Sequence, residues 1–312
     1  MHKVYTLFLS IAFVLLWSSG WVGSKFGLDY SGPFTFLTIR YLLVVIILSL
    51  IVAFLSTAKQ LSIISRQEFS EHALVGVLSH GVYLSASIAA MSYGVTAGMV
   101  AFIAAMQPIL TTLCSGITGE KTEGASRLQW VGMLLGALAV YVTLASDVAL
   151  DGFLSLPYLL LFVSVAGISI ATLLDRRVTL RRSKRGLKPG HLIQVLWIHS
   201  LSALLFFACA GFFLEGFKAT WNLEYVLTLA YMAGVVSIIS YGLMYLLLRR
   251  TTAINVSSLI YLTPPSTMLL AWPILGETVT LGGMIGLLIG AVAVVLVLMN
   301  GKFLGAEKSA AT

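Results

Sequence analysis

Apolar residues come in runs of about twenty, separated by short polar breaks, and each run is as long as a helix needs to be to cross a hydrocarbon core of about 30 Å. The pattern predicts ten membrane-spanning helices over 4–23, 34–55, 73–93, 95–115, 128–146, 153–174, 191–213, 225–247, 253–272 and 278–299. The narrowest break is Ser92-Tyr93-Gly94-Val95-Thr96, which must turn the chain with no charge to mark it. The first run follows His2 and Lys3 as the core of a signal peptide would. It is too long for that core, however, carries Trp17 and Trp21 where small cleavage-site residues belong, and is followed by further spans.

Composition agrees with this pattern. Of 312 residues, 59% are hydrophobic and 10% charged, with a mean hydropathy of +0.98; soluble domains average near 25% charged. A soluble enzyme, a disordered tail and a secreted disulfide scaffold are excluded, and any chemistry belongs inside the membrane. Cys114 and Cys209 lie in apolar runs and read as small buried hydrophobes. With both termini cytoplasmic, sixteen Lys and Arg residues fall on the inner side, while only Lys25 and Lys218 fall outside and Arg40 sits just within the second span. That asymmetry obeys the positive-inside rule and accounts for the net charge of +7. The basic run 176–188 therefore reads as a topogenic loop, with no nucleic-acid partner expected.

The chain also repeats itself. Met106-Gln107-Pro108, Gly119-Glu120 and Val131-Gly132-Met133-Leu134-Leu135-Gly136-Ala137 are echoed, in the same order, by Thr263-Pro264-Pro265, Gly276-Glu277 and Ile285-Gly286-Leu287-Leu288-Ile289-Gly290-Ala291. The interval from Pro108 to Glu120 equals that from Pro265 to Glu277. Each repeat then holds five spans, an odd number, so the second half enters the membrane from the opposite side. The predicted fold is an all-α membrane protein of two inverted five-helix repeats, 1–146 and 147–312, with a binding site near the midplane between them.

On these residues, together with Leu16-Trp17-Ser18-Ser19-Gly20-Trp21-Val22-Gly23-Ser24-Lys25, Pro33-Phe34-Thr35-Phe36 and Arg40, the chain resembles the drug/metabolite transporter superfamily, and within it the ten-helix EamA-type exporters. It is most similar to the YddG-type exporters of aromatic and other neutral amino acids. The resemblance implies a multi-pass protein of the bacterial inner membrane, working in the export direction. It also implies a central cavity walled by the first, third, fourth, sixth, eighth and ninth helices, with the fifth and tenth packed outside.

Several residues are candidates for that cavity. Phe13, Trp17 and Trp21 recur by fours on one helical face; Trp17 is expected in the cavity and Trp21 nearer its outer mouth, interfacial anchoring being the alternative. His80, Tyr83 and Ser87 form a polar stripe on the third span, and a membrane-embedded histidine either faces a wet cavity or is satisfied by a neighbouring helix. Ser237, Tyr241 and Tyr245 form a matching stripe on the eighth, while Met99, Gln107, Ser164, Asn255 and Ser258 can complete the wall. Pro108 and Pro265 each remove a backbone donor, which suits a hinge or gate as well as a tolerated kink. Gly132, Gly136, Gly286 and Gly290 form two GxxxG motifs, read as packing of the fifth helix on the tenth in preference to dimerisation, so the chain is expected to be a monomer. Glu120 and Glu277 are expected to sit on the dipole of the helix that follows each of them. Lys25 and Arg40 read as snorkelling to the external surface, with Asp29 near and encounter with a substrate carboxylate as the second reading.

Absences narrow the function. The predicted spans hold no Asp or Glu, so carboxylate-based proton coupling is not expected. No HExxH, GxSxG, Walker A or GxGxxG motif is present, and no enzyme activity, cofactor or metal is expected. The expected function is alternating-access export of a small neutral or zwitterionic substrate with an apolar or aromatic side chain, from a cavity without net charge. The rivals are a carrier of another cargo, such as a drug or other metabolite, and an intramembrane enzyme or receptor.

Overall fold

The structure, a computed structural model, describes residues 2–59, 61–107, 110–111, 127–147, 155–188, 190–250, 259–278 and 280–300. Its helices are α1 (His2–Gly27), α2 (Pro33–Thr57), α3 (Arg66–Ser92), α4 (Ala97–Ala104), α5 (Arg127–Asp147), α6 (Leu156–Lys184), α7 (Leu192–Leu214), α8 (Leu223–Tyr231, Met232–Ile239 and Ser240–Arg250 in succession), α9 (Thr263–Leu275) and α10 (Leu281–Asn300). Among the described residues six of these are long and apolar enough to cross a membrane, and the protein is an all-α, multi-pass membrane protein. Leu50, Phe54, Leu134, Phe213, Leu269 and Leu288 are well exposed; lipid-facing surface explains this at no energetic cost.

The uncharged break between the third and fourth runs is a true turn. α3 ends at Ser92, Gly94 takes a φ of 97°, and Thr96 caps α4 by accepting the Met99 amide at 3.1 Å. A positive φ at this point is open to glycine and costly to residues with a Cβ. Elsewhere the chain caps helices over long sequence distances. Glu215 accepts the Phe34 and Thr35 amides at 3.0 and 2.6 Å, and Glu277 accepts the Ala97 and Gly98 amides at 2.9 and 3.4 Å. Glu277 thus sits on the dipole of α4, not on that of the helix after it as its sequence position suggests. The orphan N–H groups of a helix start can be met by any carboxylate the fold brings there. Glu120 lies outside the described residues.

The basic run 176–188 is not a loop over most of its length. α6 continues helically to Lys184, and its charged end docks on the start of α3. Arg182 is buried against Glu68 at 2.9 Å, and Arg181 meets Glu71 at 2.6 Å. Glu68 also closes a capping box with Ser65. Partners on a neighbouring helix satisfy these side chains and make a helix of a segment that reads as a solvated loop.

Helix contacts fall in pairs related by a shift of five elements. α2 packs on α7 and α5 packs lengthwise on α10; the α3–α6 contact is matched by α8–α1, α3–α7 by α8–α2, and α1–α9 by α6–α4. These pairs suggest internal pseudosymmetry. Gly132 and Gly286 are buried on α5 and α10, Gly136 and Gly290 are half-buried beside a cavity between them, and a Cβ on Gly290 would stand 3.9 Å from Ala139. Cys209, expected to be buried, is exposed on α7 instead.

Candidate functional site

Both α3 and α8 are interrupted by π-helical turns, Val77–Val82 and Met232–Ile239. A π turn inserts a residue into the helical repeat and re-aims the side chains around it, and such turns recur at functional sites. His80 lies in the first and Ser237 in the second. The straight 3.6-residue stripes expected on these helices are therefore broken where they matter most.

A cavity lies beside these two turns, lined by Val236 of the second, by Tyr83 and Leu84 directly after the first, and by Trp17, Gly20, Trp21, Ser24, Arg40, Tyr41 and Tyr241. Its volume is about 40 Å³, room for about two or three water molecules. The walls are aromatic: the Trp17 and Tyr241 rings are 5.0 Å apart, and Trp21 meets Tyr83 edge-on at 5.8 Å. Behind them lies buried His80, whose Nδ1 is 3.2 Å from the Tyr41 hydroxyl and 3.4 Å from that of Tyr241.

The cavity also holds a charge. Arg40, two turns into α2, is only 4% exposed; its Nε donates to Ser237 Oγ at 3.0 Å and its guanidinium lies 5.7 Å from the Tyr41 ring. Among the described residues no carboxylate pairs with it. The expected cavity without net charge, and the reading of Arg40 as snorkelling to the surface, are both corrected: α2 is turned so that its Arg40–Tyr41 face looks inward. A buried guanidinium without an anion is costly to maintain, and its planar fork matches a carboxylate. The one signal of this in the sequence was a charge lying inside a span, which by default marks function.

Other candidates fall elsewhere. Ser164 is buried between α6 and α3, donating to Tyr83 O at 2.9 Å and bonded to Ser87 at 2.7 Å, so its hydroxyl is spent on helix packing. Met99, on α4, is buried in the core and does not line the cavity. Gln107 donates to Thr172 at 3.1 Å. Pro108, Asn255 and Ser258 lie outside the described residues. Pro265 is half-buried in the first turn of α9, directly after a 3-10 turn at Ile260–Leu262. Around this break Thr263 Oγ1 donates to Ile260 O at 2.7 Å, while Ser18 and Thr267 cross-link α1 and α9 at 3.3 and 3.4 Å. Such hydroxyls re-satisfy backbone groups that proline leaves free.

On the face where α1 and α3 end, the cavity is roofed. Lys25 Nζ donates to Met91 O and Val95 O at 2.9 and 3.1 Å, so it ties α1 to the α3–α4 turn and does not snorkel outward. Ser31 bonds Tyr225 at 2.7 Å, Thr220 N donates to Tyr30 O at 2.7 Å, and the Tyr30 hydroxyl donates to Glu224 at 2.5 Å, which holds that phenol protonated above its ordinary range.

The profile of the EamA-like transporter family matches the chain twice, over residues 4–145 and 155–299. The "Uncharacterized transporter YvbV" of Bacillus subtilis (strain 168) is 24% identical over 316 residues, covering 100% of this chain and 96% of its own. The "Probable amino-acid metabolite efflux pump" of Salmonella typhimurium is 24% identical over 287 residues, covering 88% of each chain. A solved crystal structure shares the fold at a TM-score of 0.68 and 17% identity, over 96% of this chain and 99% of that one.

Proposed function

Since the chain belongs to the EamA-like transporter family, whose members are transporters and not enzymes, we propose that it exports small zwitterionic metabolites, chiefly neutral amino acids with aromatic or apolar side chains. The observation that carries this reading is buried Arg40, without a carboxylate partner among the described residues, set in an aromatic cavity. A substrate carboxylate supplies the missing anion, and its side chain stacks against Trp17, Trp21, Tyr83 and Tyr241. The relative called a probable amino-acid metabolite efflux pump supports the cargo class.

In this reading the chain has ten spans in two inverted repeats, 1–146 and 147–312, lies in the bacterial inner membrane with both termini cytoplasmic, and works as a monomer. The double profile match, the pairing of helix contacts and the matching π turns support the repeats. The roof built on Lys25 then faces outward. A cavity of about 40 Å³ is too small for an amino acid, so cargo enters and leaves as the halves rock, with Pro265, in the first turn of α9, and Pro108 as hinges. Trp17, Trp21, His80, Tyr83, Ser237 and Tyr241 serve the substrate directly or through Arg40.

The test is radiolabelled phenylalanine flux in proteoliposomes, with and without a pH gradient. Saturable flux, competed by other neutral amino acids and with a raised phenylalanine KM in Trp17→Ala, is expected. No flux in folded protein would overturn the amino-acid assignment while leaving the family untouched.

A further inference from the structure

Below the central cavity, away from the Lys25 roof, a second polar cluster lies where α3, α6 and α7 meet. His72 of α3 and His199 of α7 are 4% and 9% exposed, and Asp175 of α6 joins them. One ligand-capable atom from each of the three lies within 4.8 Å of the other two. The imidazole centroids are 5.5 Å apart. His72 Nδ1 and His199 Nε2 are both buried without a hydrogen-bond partner. The nearest relief for the first is Asp175 Oδ1 at 3.5 Å, beyond a good hydrogen bond.

Two orphaned imidazole nitrogens beside one carboxylate need explaining, since each buried unmet polar atom costs about 1–3 kcal/mol. Protonation of His72 would improve its contact with Asp175 but leave His199 Nε2 unmet. A shared cation satisfies all three at once. We propose that His72, His199 and Asp175 form a site for a divalent transition-metal ion of the zinc class that clasps α3 to α6 and α7.

The chemistry fits. Two neutral imidazoles and a carboxylate are borderline donors that suit Zn²⁺ and leave a fourth position for water. Ligands at about 2.0–2.2 Å from a tetrahedral ion stand closer together than 4.8 Å, so the three side chains must draw in by about 1 Å. The Asp175 side chain is 45% exposed, which gives the ion a way in. The backbone is already close: a Cβ on Gly76 would collide with Ser202 Oγ and with His199, whose carbonyl oxygen would be 2.6 Å away, so glycine lets α3 and α7 touch one turn from the ligands. His199 also lies between His72 and His80, its ring 6.0 Å from the latter. The clasp is therefore one residue removed from the cavity, and an ion that ties these helices slows the exchange of conformers. That last consequence rests on the transport reading; metal binding itself does not.

The test uses the untagged full chain in detergent, stripped with a chelator. It is titrated with Co²⁺, read by visible absorption, and loaded with Zn²⁺, read by metal content after gel filtration. One ion per chain is expected, with the intense absorption of a four-coordinate Co²⁺ site, and at least tenfold weaker binding in His72→Gln, His199→Gln and Asp175→Asn. Asp175 is half exposed, so its variant keeps the test open if a histidine variant does not fold. Wild-type protein that binds no ion, or folded Asp175→Asn and His72→Gln proteins that bind as wild type does, would overturn the site. Zn²⁺ that binds at this site without slowing flux would overturn only the coupling to transport.

Discussion

Replacing Arg40 by methionine separates a substrate-binding cation from a structural one. In the free protein the guanidinium has Ser237 Oγ at 3.0 Å and the Tyr41 ring at 5.7 Å, with no carboxylate partner among the described residues. It therefore carries a desolvation cost that little in the protein offsets. Methionine keeps much of the stem volume and removes the charge, and exchanging buried charge for apolar volume is often neutral or stabilising. The apparent melting temperature in detergent is expected to hold or rise. Substrate affinity is expected to move the other way. Hydrogen bonds to charged groups are worth about 1.5–3 kcal/mol each, and about 1.4 kcal/mol is tenfold, so the phenylalanine KM should rise about 10- to 150-fold. Competition assays in proteoliposomes add a chemical control: 3-phenylpropanoate should lose its ability to compete in the variant, while phenethylamine, which lacks the carboxylate, should not weaken. A variant that melts far below wild type would make Arg40 a structural residue, and one with an unchanged KM would remove the carboxylate from its vicinity. Either result refutes the reasoning.

Trp17→Ala removes a ring 5.0 Å from Tyr241; with aromatic pairs worth about 0.5–1.5 kcal/mol beyond area burial, the KM for aromatic cargo should rise about 2- to 13-fold more than that for aliphatic cargo. Lys25→Met cuts both bonds from α1 to Met91 O and Val95 O, so a cysteine placed at Ser92 should be labelled faster by a membrane-impermeant maleimide; unchanged labelling would mean that Lys25 does not hold the roof. Glu277→Gln weakens the cap on α4 and should lower stability by about 1 kcal/mol, read as a drop in melting temperature that Glu277→Asp partly restores. Gly76→Ala forces α3 away from His199 and Ser202 at a cost of about 1–3 kcal/mol from overpacking, a loss of thermal stability that should exceed that of Gly234→Ala, where no neighbouring atom is near.

Most of the fold was legible in the sequence because hydropathy acts residue by residue. Lipid demands a run of apolar residues at each crossing, and the runs begin and end within a few residues of α1, α2, α5 and α7. The unmarked turn at 92–96 and the approximate repeat could be read in the same way, and so could the stripe that brings Trp17 and Trp21 together. The rest depended on which residues meet across helices. Whether the basic run 176–188 is loop or helix depended on Glu68 and Glu71, more than a hundred positions away in the chain. The helix that Glu277 caps was decided by where α4 begins. Arg40 sits in the cavity because α2 is rotated, an angle that a uniformly apolar helix does not encode in its own pattern. Ser164 could not be told from a cavity residue until its hydroxyl was seen bonded to Ser87 and Tyr83. The cluster of His72, His199 and Asp175 was invisible for the same reason: three helices supply one residue each, and only their packing brings the three together. Local pattern determines which segments enter the membrane; rotation and contact between them decide where the polar groups converge.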